Sequence, residues 1–202
     1  VPGGPALVVA TPGAEPVAEG GYAAALLLDG WALLNFPDLR AGEEALRRWL
    51  GAAALVRGQE AGGTVVVVAE PTLRPVQALV RWDPAGHAVR ELADRAELGF
   101  PPVSRMAAVT GPPEAVADFL AMAELPAGAE VLGPVPLPEP PPGRPRRTGE
   151  APAGERWERA LVRVRPGQGA ALAAALKTTQ AVRLARGQGE RVWLRVDPPD
   201  IG

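Results

Sequence analysis

Asp94-Arg95-Ala96-Glu97-Leu98-Gly99-Phe100-Pro101-Pro102-Val103-Ser104-Arg105 ends an alanine-rich helical pattern in a glycine and a double proline, and an arginine then opens the next strand. Gly99 takes the positive φ that closes a helix, and the prolines forbid its continuation. The stretch reads as a rigid joint between two folding regions. An ordinary helix stop explains the Gly-Pro signal but not the flanking arginines.

Downstream of the joint, Arg105 to Thr110 reads as a strand, Pro113 to Glu124 as a helix, and Glu130 to Val135 as a second strand. Pro134 to Ala153, rich in proline and arginine, builds no core and reads as a mobile connection. Trp157 to Arg165 is a third strand, Gln168 to Leu184 an alanine helix, and Arg191 to Asp197 a fourth strand. The order β-α-β, loop, β-α-β is the split βαβ arrangement of ferredoxin-like domains.

Upstream, Leu7 to Ala10 and Tyr22 to Asp29 are short apolar runs bounded by Gly and Pro, read as buried strands. Ala41 to Gly58 is a helix with Leu46, Trp49, Leu50, Ala53 and Val56 on one stripe and Arg47 and Arg48 off it. The valine run Thr64 to Ala69 has the pattern of a strand covered on both faces. Pro75 suits the first turn of the next helix, whose apolar face is Val76, Leu79 and Val80. Asp83-Pro84 interrupts before a helix from about Gly86 to Leu98. Alternating strands and helices imply a parallel, three-layer α/β sheet.

At 202 residues, 47% hydrophobic and 22% charged, the composition is that of one large or two small globular domains. No apolar run is long enough to span a bilayer. With no cysteine and a single histidine, His87, the chain excludes a disulfide framework, a zinc–thiolate site and a Ser-His constellation of its own. No signal peptide is recognisable, which sets a cytoplasmic location as the expectation. A first residue of Val1 suggests a C-terminal piece of something longer.

The net charge of −2 hides an asymmetry. Pro140 to Val196 holds eleven arginines and one lysine against four glutamates, a local balance of +8, whereas the chain through Ala96 is at −3. A basic half beside an acidic one marks where a polyanion would dock. On the third strand Ala160, Val162 and Val164 face one way and Arg159, Leu161, Arg163 and Arg165 the other. On the fourth, Val192, Leu194 and Val196 face the core, leaving Arg191, Trp193, Arg195 and Asp197 outward. If the two strands share a sheet, its open face carries guanidinium groups around one indole. Guanidinium holds phosphate bidentately and indole stacks on a base, so the face suits single-stranded or branched DNA, with Arg144, Arg146 and Arg147 in the loop nearby. A solvated face with scattered arginine–carboxylate pairs is the competing reading.

Leu27-Leu28-Asp29-Gly30-Trp31-Ala32-Leu33-Leu34-Asn35-Phe36-Pro37-Asp38-Leu39-Arg40-Ala41, Gln77-Ala78-Leu79-Val80-Arg81-Trp82-Asp83 and Arg90-Glu91-Leu92 together resemble the PriA (primosomal protein N′) family of replication-restart helicases. The joint from Gly99 to Arg105, the Arg156-Trp157 pair and the terminal Val196-Asp197-Pro198 follow in the same order over nearly the whole chain. The resemblance implies part of a RecA-like second helicase lobe over 1–72, a helical linker over 73–100 and a DNA-binding C-terminal domain over 101–202. It also implies DNA, single-strand-binding protein and other replication proteins as partners, and no membrane.

The family's motor elements are not intact here. Helicase motif VI, Gln-x-x-Gly-Arg-x-Gly-Arg, corresponds to Leu50-Gly51-Ala52-Ala53-Ala54-Leu55-Val56-Arg57, where only Arg57 survives of the groups that reach the γ-phosphate. In Ala10-Thr11-Pro12-Gly13-Ala14-Glu15-Pro16, Thr11 remains but the family's lysine is missing. Thr11 and Arg57 are thus vestigial nucleotide-binding positions, and the family's phosphate-binding loop and zinc-binding cysteines are absent. The pattern is similar to the degenerate type found in high-GC actinobacteria. The expectation is a DNA-binding component of replication restart and primosome assembly, with an inactive motor and no cofactor of its own. Two alternatives stay open. One is an ATP-dependent 3′–5′ helicase whose first lobe lies upstream, with ATP as cofactor by resemblance; the other is a protein–protein docking module. Of the remaining polar groups, Asp29 and Asp38 read as turn or cap residues, and Glu43 and Glu44 favour their helix N-terminus. Asp197 and Asp200 form no acid–base pair, and His87 reads as exposed on the linker helix. Arg105 either pins the two domains together or contacts a DNA backbone.

Overall fold

The computed structural model describes residues 1, 4–28, 30–36, 38–138, 156–187 and 192–199, which fall into two compact units, Val1–Glu91 and Leu92–Ile201. In the first, β1 (Ala24–Leu27) and β2 (Thr64–Val67) pair in parallel, from Ala24 opposite Thr64 to Leu27 opposite Val67. Around them lie α1 (Gly30–Leu34), α2 (Ala41–Ala53) and α3 (Arg74–Arg81). The stripe read on α2 buries Leu46 and Trp49 against Val76, Ala78 and Leu79 of α3, with Leu27 and Val67 packed on that core.

Several expectations for this unit fail. Leu7 to Ala10 forms no strand; Leu7 and Val9 are about nine-tenths exposed. The valine run is covered on one side only, with Val66 and Val68 facing out and Val65, on the side of Val67, still 38% exposed near the start of the strand. The two strands and their helices therefore make two layers rather than three, among the described residues. On β1 only the inward member of each pair is sheltered: Leu27 meets the core and Leu26 does not. Helix α2 stops at Ala53, because Val56 leaves it to bridge Tyr22 in parallel. The buried arc of α3 centres on Pro75, Ala78 and Leu79, which turns Val80 to solvent.

Helix α4 (Pro84–Leu98) starts at Pro84 itself, two residues before the start near Gly86 read from the sequence. The Asp83 carboxylate accepts the Gly86 amide hydrogen at 2.7 Å, and Pro84 opens the first turn. His87 is buried, not exposed: the sheltered stripe of this helix runs through His87, Glu91, Asp94 and Arg95, while Val89, Leu92 and Leu98 face out.

The second unit holds one antiparallel sheet in the order β4-β5-β3-β6. Its elements in chain order are β3 (Arg105–Gly111), α5 (Pro113–Met122), β4 (Glu130–Leu137), β5 (Trp157–Val164), α6 (Gly169–Ala185) and β6 (Trp193–Val196). Two βαβ passages interleave, so that β5 lies between β3 and β4, and β3 between β5 and β6. Ala107, Val109, Ala160, Val162 and Val164 meet Val116 and Phe119 of α5 and Leu172 and Leu176 of α6 in a closed core. The strand expected to end at Val135 continues to Leu137 through Pro134 and Pro136, which an edge position tolerates.

Candidate nucleic-acid interface

Register fixes what the sheet presents on the side away from its helices. Arg159 of β5, Thr110 of β3 and Trp193 of β6 stand in one row; Leu161, Ala108 and Arg195 form the next; Arg163 and Met106 follow. Glu130 of β4 lies opposite Arg163. The strand alternation read from the sequence thus brings Arg159, Arg163, Trp193 and Arg195 to one side of one sheet. Trp157 joins them: its ring centroid lies 5.0 Å from that of Trp193, tilted by 57°. Their strands are separated by β3, hence by about 9.6 Å. On β3 it is Thr110 that stands opposite Trp193, while Trp157 lies one position beyond the last β3–β5 pair.

This side is nevertheless not an open platform. Met106, Ala108, Thr110 and Trp157 are buried. The Arg163 guanidinium pairs with the Glu130 carboxylate and donates to the Leu98 carbonyl at 3.0 Å, with a longer contact to that of Gly99. It thereby ties the end of α4 to the sheet, where the helix presents its unpaired carbonyls and negative dipole end. Gly99 has φ of +65°, and a Cβ there would collide with that same guanidinium. Arg163 therefore fixes the end of α4 onto the sheet within the second unit, and the positive φ at Gly99 favours glycine there; the boundary between the two units falls at Glu91/Leu92, inside α4, rather than at the joint read around Gly99. Ser104 adds a hydrogen bond to the Gly99 carbonyl at 2.6 Å.

Arg105 pairs with Asp197 at 3.1 Å. The contact lies within the second unit, leaves the Arg105 side chain about half exposed, and gives Asp197 a partner no motif had signalled. Arg165 and Arg195 are exposed and make no ion pair among the described residues. Arg144, Arg146, Arg147 and Arg191, with Asp29 and Asp200, lie outside the described residues. Glu130 was missed because its pairing depends on hairpin register, which a long connection hides.

The two nucleotide positions lie in the first unit. Arg57 turns its Nε to the Gly20 and Gly21 carbonyls, both at 3.2 Å, and its own carbonyl occupies the space a Cβ at Gly63 would need. Thr11 is exposed at the start of a turn in which the Ala14 amide donates to its carbonyl. The Gly13 amide in that turn is taken by the Glu15 carboxylate at 2.9 Å. A groove of about 320 Å³ runs between this segment and β1, lined mainly by apolar side chains, among them Val9, Leu26, Leu33 and Trp49. Among the described residues no group of three or more metal-ligating side chains comes together, and no helix is long and apolar enough to cross a membrane.

Comparison with known proteins gives these features a family. The chain is 54% identical over 198 residues to the probable replication restart protein PriA of Mycobacterium leprae, covering 98% of this chain and 30% of that protein. It is 52% identical over 206 residues to the protein of the same name from Mycobacterium tuberculosis strain H37Rv, covering 98% and 31%. The chain therefore spans under a third of the length of these curated relatives. The sequence profile of the primosomal protein N C-terminal domain matches residues 96–199, from the last turn of α4 through β6. On that match over half its length, this chain belongs to the PriA family, as a bearer of the primosomal protein N C-terminal domain.

Proposed function

We propose that this chain serves replication restart as a DNA-contacting and primosome-assembly module whose motor portion is catalytically silent. The interleaved βαβ unit is a ferredoxin-like domain, and the parallel pair with its helices is the remnant of a RecA-like lobe. The functional division runs 1–72, 73–100 and 101–202. The observation that carries the reading is the pairing of the family match with a Trp193 indole flanked by Arg159 and Arg195 on one sheet face. Guanidinium groups hold phosphate and an indole face stacks on an unpaired base, as single-stranded or forked DNA presents it. Among the described arginines read from the sequence, Arg165 and Arg195 are exposed and make no ion pair, which leaves their heads to a backbone. Arg163 is held by Glu130 and the Leu98 carbonyl, and Arg105, though exposed, is paired with Asp197.

A silent motor is supported by chemistry at the other unit. Arg57 is engaged by backbone carbonyls, the Gly13 amide by Glu15, and the adjoining groove is apolar. None of these stabilises developing phosphate charge, and losing one transition-state arginine lowers such rates by about 10³ or more. The expected outcome is no measurable ATP hydrolysis by this chain. Its binding to a synthetic fork, followed by anisotropy across a salt series, tests the DNA reading. Charge reversal at Arg165 and Arg195 together lowers affinity about tenfold or more and reduces the salt slope by about 2. Unchanged affinity and slope in a folded variant overturn the reading.

A further inference from the structure

The two edges of the sheet in the second unit differ in kind. At the β4 edge, Pro134 and Pro136 remove amide donors, and the register on β5 shifts between Leu132 and Val135. Such an edge is blunted against receiving another strand. At the β6 edge, Trp193–Val196 carries no proline and its outer side pairs with no strand among the described residues. Alongside it α6 and β6 enclose a groove of about 390 Å³, with Leu176 and Leu184 on one wall and Leu194 and Val196 on the other. Leu184 is 65% and Val196 47% exposed, so the groove is apolar and open.

Charge decides what fits there. Lys177 lines the groove, Arg195 stands on the opposite side of β6, and Arg186 ends the helix; all three are exposed. A second copy pairing β6 with β6 would set these cations against one another. An acidic strand would meet them favourably.

We propose that β6 receives an extended acidic segment of a partner protein as a fifth strand. Its alternate apolar side chains enter the α6–β6 groove, and its intervening carboxylates face Arg195, with Lys177 at the groove's rim. Main-chain hydrogen bonds along β6 give affinity, and the period of two gives specificity. The site does not depend on the DNA reading, although Arg195 takes part in both.

The probe is a fluorescein-labelled, C-terminally amidated heptapeptide of alternating valine and glutamate, titrated against the full 202-residue chain. Saturable binding is expected, at least about tenfold weaker for the valine–lysine counterpart and for a peptide with a central proline. Leu184→Glu, at an exposed position, weakens binding about tenfold and leaves fork affinity unchanged. Amide exchange at Trp193–Val196 slows on binding. Absence of binding, equal binding of the lysine peptide, or exchange at β6 that the peptide does not alter overturns the proposal. Loss of fork affinity with peptide binding intact counts against the DNA reading alone.

Discussion

The two units are built from similar valine-, leucine- and alanine-rich runs, yet they bury them differently. In Leu92–Ile201 four antiparallel strands turn one side to α5 and α6, and Phe119, Val109, Val162 and Leu172 vanish from solvent. In Val1–Glu91 two parallel strands lean on α2 and α3 with one side, while Leu26, Val66 and Val68 on the other remain out. Parallel strands normally belong to sheets covered on both faces, so the first unit has the sequence of a buried sheet and the exposure of an edge. Hydrophobic content alone does not tell a closed core from an uncovered one; the number of strands that share it does.

The sharpest way to break this contrast is to remove the same kind of atoms from each unit. Phe119→Ala empties the centre of the closed core and costs about 3–5 kcal/mol. Amide exchange across β3 and β5 reports it. Val66→Ala in β2, already 44% exposed, stays within about 0.5 kcal/mol. A large loss at Val66 would mean that the outward side of β2 is covered in solution.

The element order of the second unit was legible because β5 alternates, the strands are short runs bounded by turn residues, and each helix follows a proline or glycine signal. Ala160, Val162 and Val164 faced the core as read, and Arg159, Leu161 and Arg163 opposed them. What those arginines do was not legible. Arg163 found Glu130 through a register no local pattern specifies, and Arg105 found Asp197 across the sheet. In the first unit, Leu7 to Ala10 had the composition of a strand, but composition does not supply a neighbour to pair with. His87 was misread because the polar stripe of α4 is the sheltered one. A helix that reverses its expected face follows what packs on it, not its own sequence.

The joint sharpens the comparison next, since it belongs to the better-built unit. Gly99→Ala forces an L side chain into positive φ and against Arg163, and is expected to cost about 1–2 kcal/mol in thermal denaturation. Arg163→Gln, which shortens the side chain and loses the charge-assisted contacts to Glu130 and Leu98, costs about 1 kcal/mol. Fork binding by this variant retains its salt slope, in contrast to the reversal at Arg165 and Arg195. A slope reduced by Arg163→Gln would return that side chain to the DNA surface.

The smallest effect lies on the solvent side of the first unit. Hydrogen bonds from Arg47 and then Arg48 to the Glu44 carboxylate lower its pKa from 4.5 to about 2. A carboxyl whose folded value lies below its unfolded one stabilises above the unfolded pKa, and that contribution disappears as pH falls from about 4.5 towards 2. Glu44 is partly exposed, so solvent and salt screen the pairs. The melting temperatures of the wild type and Glu44→Gln are therefore expected to differ only slightly at pH 7 in low salt. They converge below pH 4.5, and also at 1 M salt. A difference that persists at pH 2 would show that Glu44 acts through packing on α2 rather than through its charge, and the unit with the open sheet would then owe more to helix contacts than to its surface arginines.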